Sequence, residues 1–296
     1  MSAVPPLPLS PPSPKQSIET TQEREQEQTA DPSNAIDDTE DLPDDFVDVQ
    51  KTISEGRRGR QQSPASTRRR TRIGVIAEIL PFPFAPNIGP LTVSDVASCD
   101  VLEAAAFTNP RHRASREKFE YRLSACPELS LGLFCTVVPA NAGGFEIDTL
   151  ATARRVETAR DDGAVGVLMA HIVGTRSDGE RVTDLAMDYP RDWRTTKRRN
   201  TSGDGPGHRE TGRTVCLHTL AVHPKLQGCG LGKLIMKSYL QLIKNSGMAD
   251  RVSLICQEYL VNYYVRFGFR HLGPSEAAFG GGNWHDMTFE FEPRAL

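Results

Sequence analysis

The stretch "CLHTLAVHPKLQGCGLGKLIM", residues 216–236, constrains the fold of this chain more than any other segment. Apolar and β-branched residues up to Val222 read as a buried strand, Gly228, Gly230 and Gly232 crowd a turn, and an apolar run with helical spacing starts at Leu231. Strand, glycine turn and helix in that order make a candidate anion cradle. Glycines let backbone N–H groups come close to a ligand, and the positive end of the helix dipole adds to the attraction.

Three phosphate-bearing ligands can be weighed against this turn. A Walker loop needs a Ser or Thr after its lysine to hold magnesium, whereas Lys233 is followed by Leu234. A dinucleotide site wants its glycines after the first strand, and this turn comes late in the chain. The third ligand is the pyrophosphate of coenzyme A, held by a Gln/Arg-x-x-Gly-x-Gly/Ala turn after a fourth strand. Gln227-Gly228-Cys229-Gly230-Leu231-Gly232 has that form. A glycine-rich left-handed turn with no ligand is the plain structural alternative.

The rest of the chain divides in two. Only 38% of the 296 residues are hydrophobic, and the deficit lies at the N-terminal end. Residues 1–15 contain Pro5, Pro6, Pro8, Pro11, Pro12 and Pro14; residues 31–49 carry eight acids and no base; residues 57–72 carry seven arginines and no acid. Such segments bury too little apolar surface to offset their chain entropy. Residues 1–72 are therefore expected to form a disordered tail, Pro-rich, then acidic, then Arg-rich, ahead of one domain over 73–296. The net charge of −3 hides two opposed blocks and gives no reason to expect nucleic acid as a partner. No run approaches the ~18 apolar residues of a membrane span, and the proline-rich start lacks the order of a signal peptide. A cytoplasmic protein without membrane contact is expected. The six cysteines include no C-x-x-C pair and read as reduced small hydrophobes with no metal site.

Within 73–296 the pattern is mixed α/β. Helices are expected after Ser94, over 113–125, over 230–246 and over 258–267; strands over 129–138, 164–173, 214–222, 251–257, 269–272 and 284–292. Residues 147–160 are helix-compatible, and the polar stretch 175–213 reads as a mobile surface loop.

Three separated stretches carry a resemblance: "CPELSLGLF" (126–134), "LHTLAVHPKLQGCGLGK" (217–233) and "YYVRFGF" (263–269). In order and approximate spacing they resemble the GNAT acetyltransferases, and within them the arylalkylamine (serotonin) N-acetyltransferases, over roughly 90–292. The resemblance implies an α/β GNAT acyltransferase fold, a mixed, mostly antiparallel sheet flanked by helices. It also implies acetyl-CoA as cosubstrate, no metal, and direct transfer in a ternary complex to a small primary amine such as tryptamine or serotonin. A polyamine acetyltransferase on the same fold is one alternative. A catalytically weak acetyl-CoA-binding scaffold with an interaction tail is another.

The chemistry needs two proton carriers. An amine with a lysine-like pKa of ~10.4 is neutral to only about one part in a few thousand at pH 7. A base must take its proton and an acid must protonate the leaving thiolate. Strand alternation puts Cys216, His218, Leu220 and Val222 on one face and Val215, Leu217, Thr219 and Ala221 on the other. His218 thus stands just before the cradle, with a pKa suited to relaying a proton through water. A lone histidine is more often a core residue bonded to backbone, and the resemblance reverses that reading in favour of catalysis. It also places Tyr264 near the cofactor sulfur as the acid, and it puts a second histidine where this chain has Cys216. Cys216 is thus a third candidate catalytic residue, as a proton relay, although a thiol near ~8.5 is a poorer relay at neutral pH and a small packing residue is the alternative.

For acetyl-CoA the resemblance implies Leu220, Ala221 and Val222 along the pantetheine arm and Gln227, Gly228, Cys229, Gly230, Leu231, Gly232 and Lys233 at the pyrophosphate. Pro127, Leu129 and Phe134 would lie beside the amine. His223 is expected to be structural or exposed, and Glu128 reads as either an ammonium anchor or a surface carboxylate. "RRRT" (68–71) is a basophilic kinase pattern, and relatives carry a similar site for a phospho-dependent partner of the 14-3-3 type at the position of Thr71. Ile73 departs from the proline such partners prefer.

Overall fold

The computed structural model describes residues 72–156, 161–195 and 205–292. The expected tail up to residue 71, with Thr71 and the proline-rich start, lies outside the described residues. The helices are α1 (Arg72–Ile79), α2 (Val96–Ala106), α3 (Arg116–Ala125), α4 (Asp184–Met187), α5 (Leu231–Ser246) and α6 (Val261–Val265). The strands are β1 (Pro86–Pro90), β2 (Ser130–Val137), β3 (Arg154–Arg155), β4 (Val165–Ser177), β5 (Thr214–Val222), β6 (Arg251–Cys256), β7 (Arg270–Pro274) and β8 (His285–Glu290).

The strands form one sheet in the order β1-β2-β4-β5-β6-β8-β7, with β3 added to β4. Pairings are antiparallel except β5 with β6. This is the mixed, mostly antiparallel arrangement that the sequence led us to expect. Central strand β4 is buried along nearly its whole length, as a strand covered on both faces must be. On one face lies α2, whose Glu103 reaches His171 of β4 and Thr219 of β5. On the other lies α5, with a stripe of Leu231, Ile235, Met236, Tyr239 and Ile243 turned inward. Gly174 marks the closest approach on that face, because a Cβ there would run into the Tyr239 hydroxyl. That hydroxyl donates to the Leu129 carbonyl at 3.0 Å and so joins α5 to the start of β2.

Several expectations are corrected. Of the helix expected over 147–160, the described residues 147–156 form a 3-10 turn at Asp148–Leu150 followed by β3, and 157–160 lie outside the described residues. Arg154 there is drawn off by Asp95, 2.7 Å away, and its backbone pairs with Gly166. The stretch 175–213 is not simply a surface loop either. Its first residues extend β4, and Val182, Ala186 and Met187 are buried against Cys216. β1 carried no periodic signal, and its end prolines are tolerated because it is an edge strand.

The most consequential departure is in β5. Thr219 pairs with Val173, but Leu217 pairs with Gly174, so His218 is an extra residue on its strand. Such a β-bulge resets the alternation. The pairs Thr175–Cys216, Val173–Thr219 and His171–Ala221 put Cys216, Thr219 and Ala221 on the α2 face, leaving Leu217, Leu220 and Val222 on the α5 face. The expected common face for Cys216, His218, Leu220 and Val222 therefore fails beyond His218.

Candidate active site

The sheet opens at the point where the bulge occurs. β5 and β6 pair only through Thr214, Val215 and Cys216 against Arg251, Val252 and Ser253. Beyond that, residues 217–222 have no strand partner on the β6 side among the described residues. Because the two strands are parallel, the turn after β5 and helix α6 after β6 leave from the same end of the sheet. The cleft is thus bordered by the glycine turn on one side and by the Tyr264 helix on the other.

At the turn, Gly228 and Gly230 take left-handed φ values of 73° and 83°, conformations that favour glycine. A Cβ on Gly228 would meet only open space. Gly230, which has no side chain, caps α5, and the first turn of a helix carries backbone N–H groups without an intrahelical acceptor. Gln227 Nε2 donates to the Val222 carbonyl at 3.2 Å, tying the turn to the strand end. Cys229 and Leu231 are buried beneath it, and Lys233 is half-buried on the first helical turn. These residues suit a bound pyrophosphate: donors, a lysine charge, and room above Gly228.

His218 is half-buried and is engaged at both ring nitrogens. Nε2 lies 2.8 Å from Thr175 Oγ1, and Nδ1 lies 3.1 Å from Met187 Sδ. Burial first, and then the positive charges of Arg122 and Lys118, hold its pKa well below the usual imidazole value. The ring is therefore neutral at pH 7. Tyr264 is 3% exposed, packed edge-on against Tyr263 and Phe269 at 5.2 and 5.6 Å. Burial, with smaller contributions from neighbouring Cys256 and tyrosines, raises its pKa well above that of an ordinary phenol. It stays a proton donor.

Residues 202–291 match the family profile described as an acetyltransferase (GNAT) domain. The serotonin N-acetyltransferase of Mesocricetus auratus is 28% identical over 64% of this chain and 70% of its own length. That of Homo sapiens is 27% identical over the same shares. The loading GNATL domain of CurA from Lyngbya majuscula aligns with 70% of this chain and 98% of its own at 14% identity and a TM-score of 0.46, a likeness too slight to argue from. The likeness is to the GNAT acetyltransferases, with the family profile matching over residues 202–291.

The individual sequence expectations fare differently. Cys216 is a correction: its thiol is fully buried among Val182, Ala186 and Met187, and burial pushes it up to about 12. A thiol that remains protonated and dry cannot relay a proton at neutral pH. Leu129 is also sealed in the core at 0% exposure, so it supports the loop and lines no open surface. Phe134 lies on the wrong row. Ser130 is level with Val173 and Thr219, whereas Phe134 pairs with Leu168 beyond the Ala170–Val222 row, about 13 Å along the strand at ~3.3 Å per residue. Pro127 opens the short turn before β2 and is only half-buried, beside exposed Glu128. His223 is structural: it is buried, faces Asp148 at 3.3 Å, and its amide donates to the Met169 carbonyl. Sequence reasoning missed Thr175, Met187 and Arg122, whose guanidinium donates to the Met187 carbonyl at 3.0 Å. They come from three distant segments with no common pattern.

Proposed function

We propose that this chain transfers the acetyl group of acetyl-CoA to a small primary amine, with an arylalkylamine such as tryptamine or serotonin as acceptor. The observation that carries the reading is the cleft between β5 and β6, with the glycine turn at its end and a neutral histidine on the bulge at its root. Bound acetyl-CoA supplies the activated thioester. Gly228, Gly230 and the first amides of α5, with Lys233, hold the pyrophosphate, and the open backbone edge of Leu220, Ala221 and Val222 receives the pantetheine arm in the manner of an added strand. His218 takes the proton of the attacking amine, directly or through water, and Thr175 steadies its Nε2. The Tyr264 hydroxyl protonates the departing thiolate.

Charge favours a monoamine over a polyamine. Arg122 and Lys118 both bear on the His218 ring, and they repel a polycation more than a single ammonium. Met187 covers Nδ1, so an acceptor that approaches from that side displaces the α4 turn. The test is thiol release from acetyl-CoA by the full chain with tryptamine, serotonin, phenylethylamine, spermidine and putrescine. Turnover with the arylalkylamines bears out the reading. Turnover with the polyamines alone overturns the acceptor class, and acetyl-CoA binding without turnover on any amine leaves a scaffold.

A further inference from the structure

On the α2 face of the bulge sits a buried polar group that the reaction as proposed does not use. Glu103 is 1% exposed. Its Oε1 accepts from the Ala114 amide at 2.8 Å, and its Oε2 accepts from Thr219 Oγ1 at 2.8 Å and faces His171 Nε2 at 3.1 Å. A buried carboxyl group is tolerated only when polar partners meet its oxygens, and three do so here. His171 is itself fully buried, packs edge-on against Phe119 at 5.4 Å, and leaves Nδ1 with no hydrogen-bond partner. Burying a histidine this incompletely satisfied costs stability, and Glu103 offers it a polar contact.

We infer that Glu103 is a positioning residue for His218, acting through the Thr219 hydroxyl to fix the bulge, with His171 holding Glu103 in place. Thr219 is the second residue of the bulge and directly follows His218. A bulge interrupts the ladder, so its extra residue is not held by regular strand pairing. If the bulge migrated by one residue, the side chains it governs would change faces and the imidazole would leave Thr175. Glu103 restrains the bulge from the α2 face. This inference rests on His218 being the base proposed above.

The test compares full-chain Thr219→Val, Thr219→Ser, Glu103→Gln and His218→Ala in the thiol-release assay, alongside 15N spectra of histidine-labelled protein. Thr219→Val keeps the side-chain volume while removing the hydroxyl, so it carries the test even where Glu103→Gln fails to fold. It should lower kcat by on the order of 10- to 100-fold, the scale of a misplaced catalytic group. The KM for acetyl-CoA should hold and the His218 ring resonances should move, while Thr219→Ser restores both. Wild-type kcat and unmoved His218 resonances in Thr219→Val, with His218→Ala inactive, overturn the positioning role and leave the base intact. Full activity in His218→Ala overturns the base itself, and this inference with it.

Discussion

Replacing Gly174 with alanine should test how tightly the sheet closes behind the catalytic strand. The new Cβ would lie inside contact distance of the Tyr239 hydroxyl, 3.1 Å from the Cys216 carbonyl oxygen and 3.3 Å from Val215 Cγ1. The carbonyl belongs to the paired part of β5 and cannot retreat. The hydroxyl can, but only by giving up its bond to the Leu129 carbonyl. Overpacking costs about 1–3 kcal/mol, and displacing a buried hydroxyl from its partner adds about 1–3 kcal/mol. The expected loss is thus about 2–6 kcal/mol. With a urea m-value of ~2 kcal/mol/M, the unfolding midpoint should fall by ~1–3 M. The cause is separable by a double-mutant cycle. Tyr239→Phe removes the clashing atom, so Gly174→Ala should cost less in that background, with a coupling of about 0.5–3 kcal/mol. An unchanged midpoint in Gly174→Ala, or strict additivity in the double variant, would refute the reasoning.

Three further outcomes are expected. Gly230→Asp should abolish acetyl-CoA binding measured by calorimetry, because the residue must adopt φ near 83° and its carboxylate would repel the pyrophosphate; an unaltered Kd would remove the turn from the cofactor site. The acid limb of kcat/KM should fall below the ordinary imidazole value of ~6.5, since the depressed pKa of His218 keeps it neutral until lower pH and activity is lost as pH falls through that value; a limb above ~6.5 would contradict this assignment. His208 is buried and held down to about 4 by burial and then by Arg176, while its Nδ1 accepts from the Arg176 amide at 3.0 Å. The unfolded chain binds that proton first, so His208 should cost stability as pH falls from ~6.5 towards about 4, by about 1.4 kcal/mol per unit. His208→Asn should flatten this part of the urea-midpoint profile, and an unchanged slope would count against it.

Much of the architecture was legible because the elements that build it are locally strong. β5, the glycine turn and α5 stand within a residue of where the apolar pattern and Gly228 and Gly230 put them. The helix that follows Thr92 was expected at Ser94. There, Asp95 Oδ2 accepts from the Thr92 amide at 2.8 Å, so the chain enters the helix through a 3-10 turn at Val93–Asp95. What the sequence concealed depends on partners far away in the chain. The bulge at His218 follows from pairing with β4, and nothing in "CLHTLAV" marks it. The α4 segment looked like polar loop because its inward residues Val182, Ala186, Met187 and Tyr189 are interspersed with polar ones, and the apolar patch that the first three complete is centred on Cys216. Glu103 and His171 lie 68 positions apart, and of the two acids in that helix, Asp100 and Glu103, neither carries a sign that it will be buried and satisfied.

The central claim is that His218, presented by the bulge at the root of the β5–β6 cleft, takes the proton from the acceptor amine. The most direct measurement is a pair of constants on the full chain and on His218→Ala: kcat for acetyl transfer to tryptamine, and Kd for acetyl-CoA. The account predicts a loss in kcat on the order of 10²- to 10⁴-fold, the range for a general base, with Kd for acetyl-CoA unchanged. Equal kcat in the two proteins would contradict it.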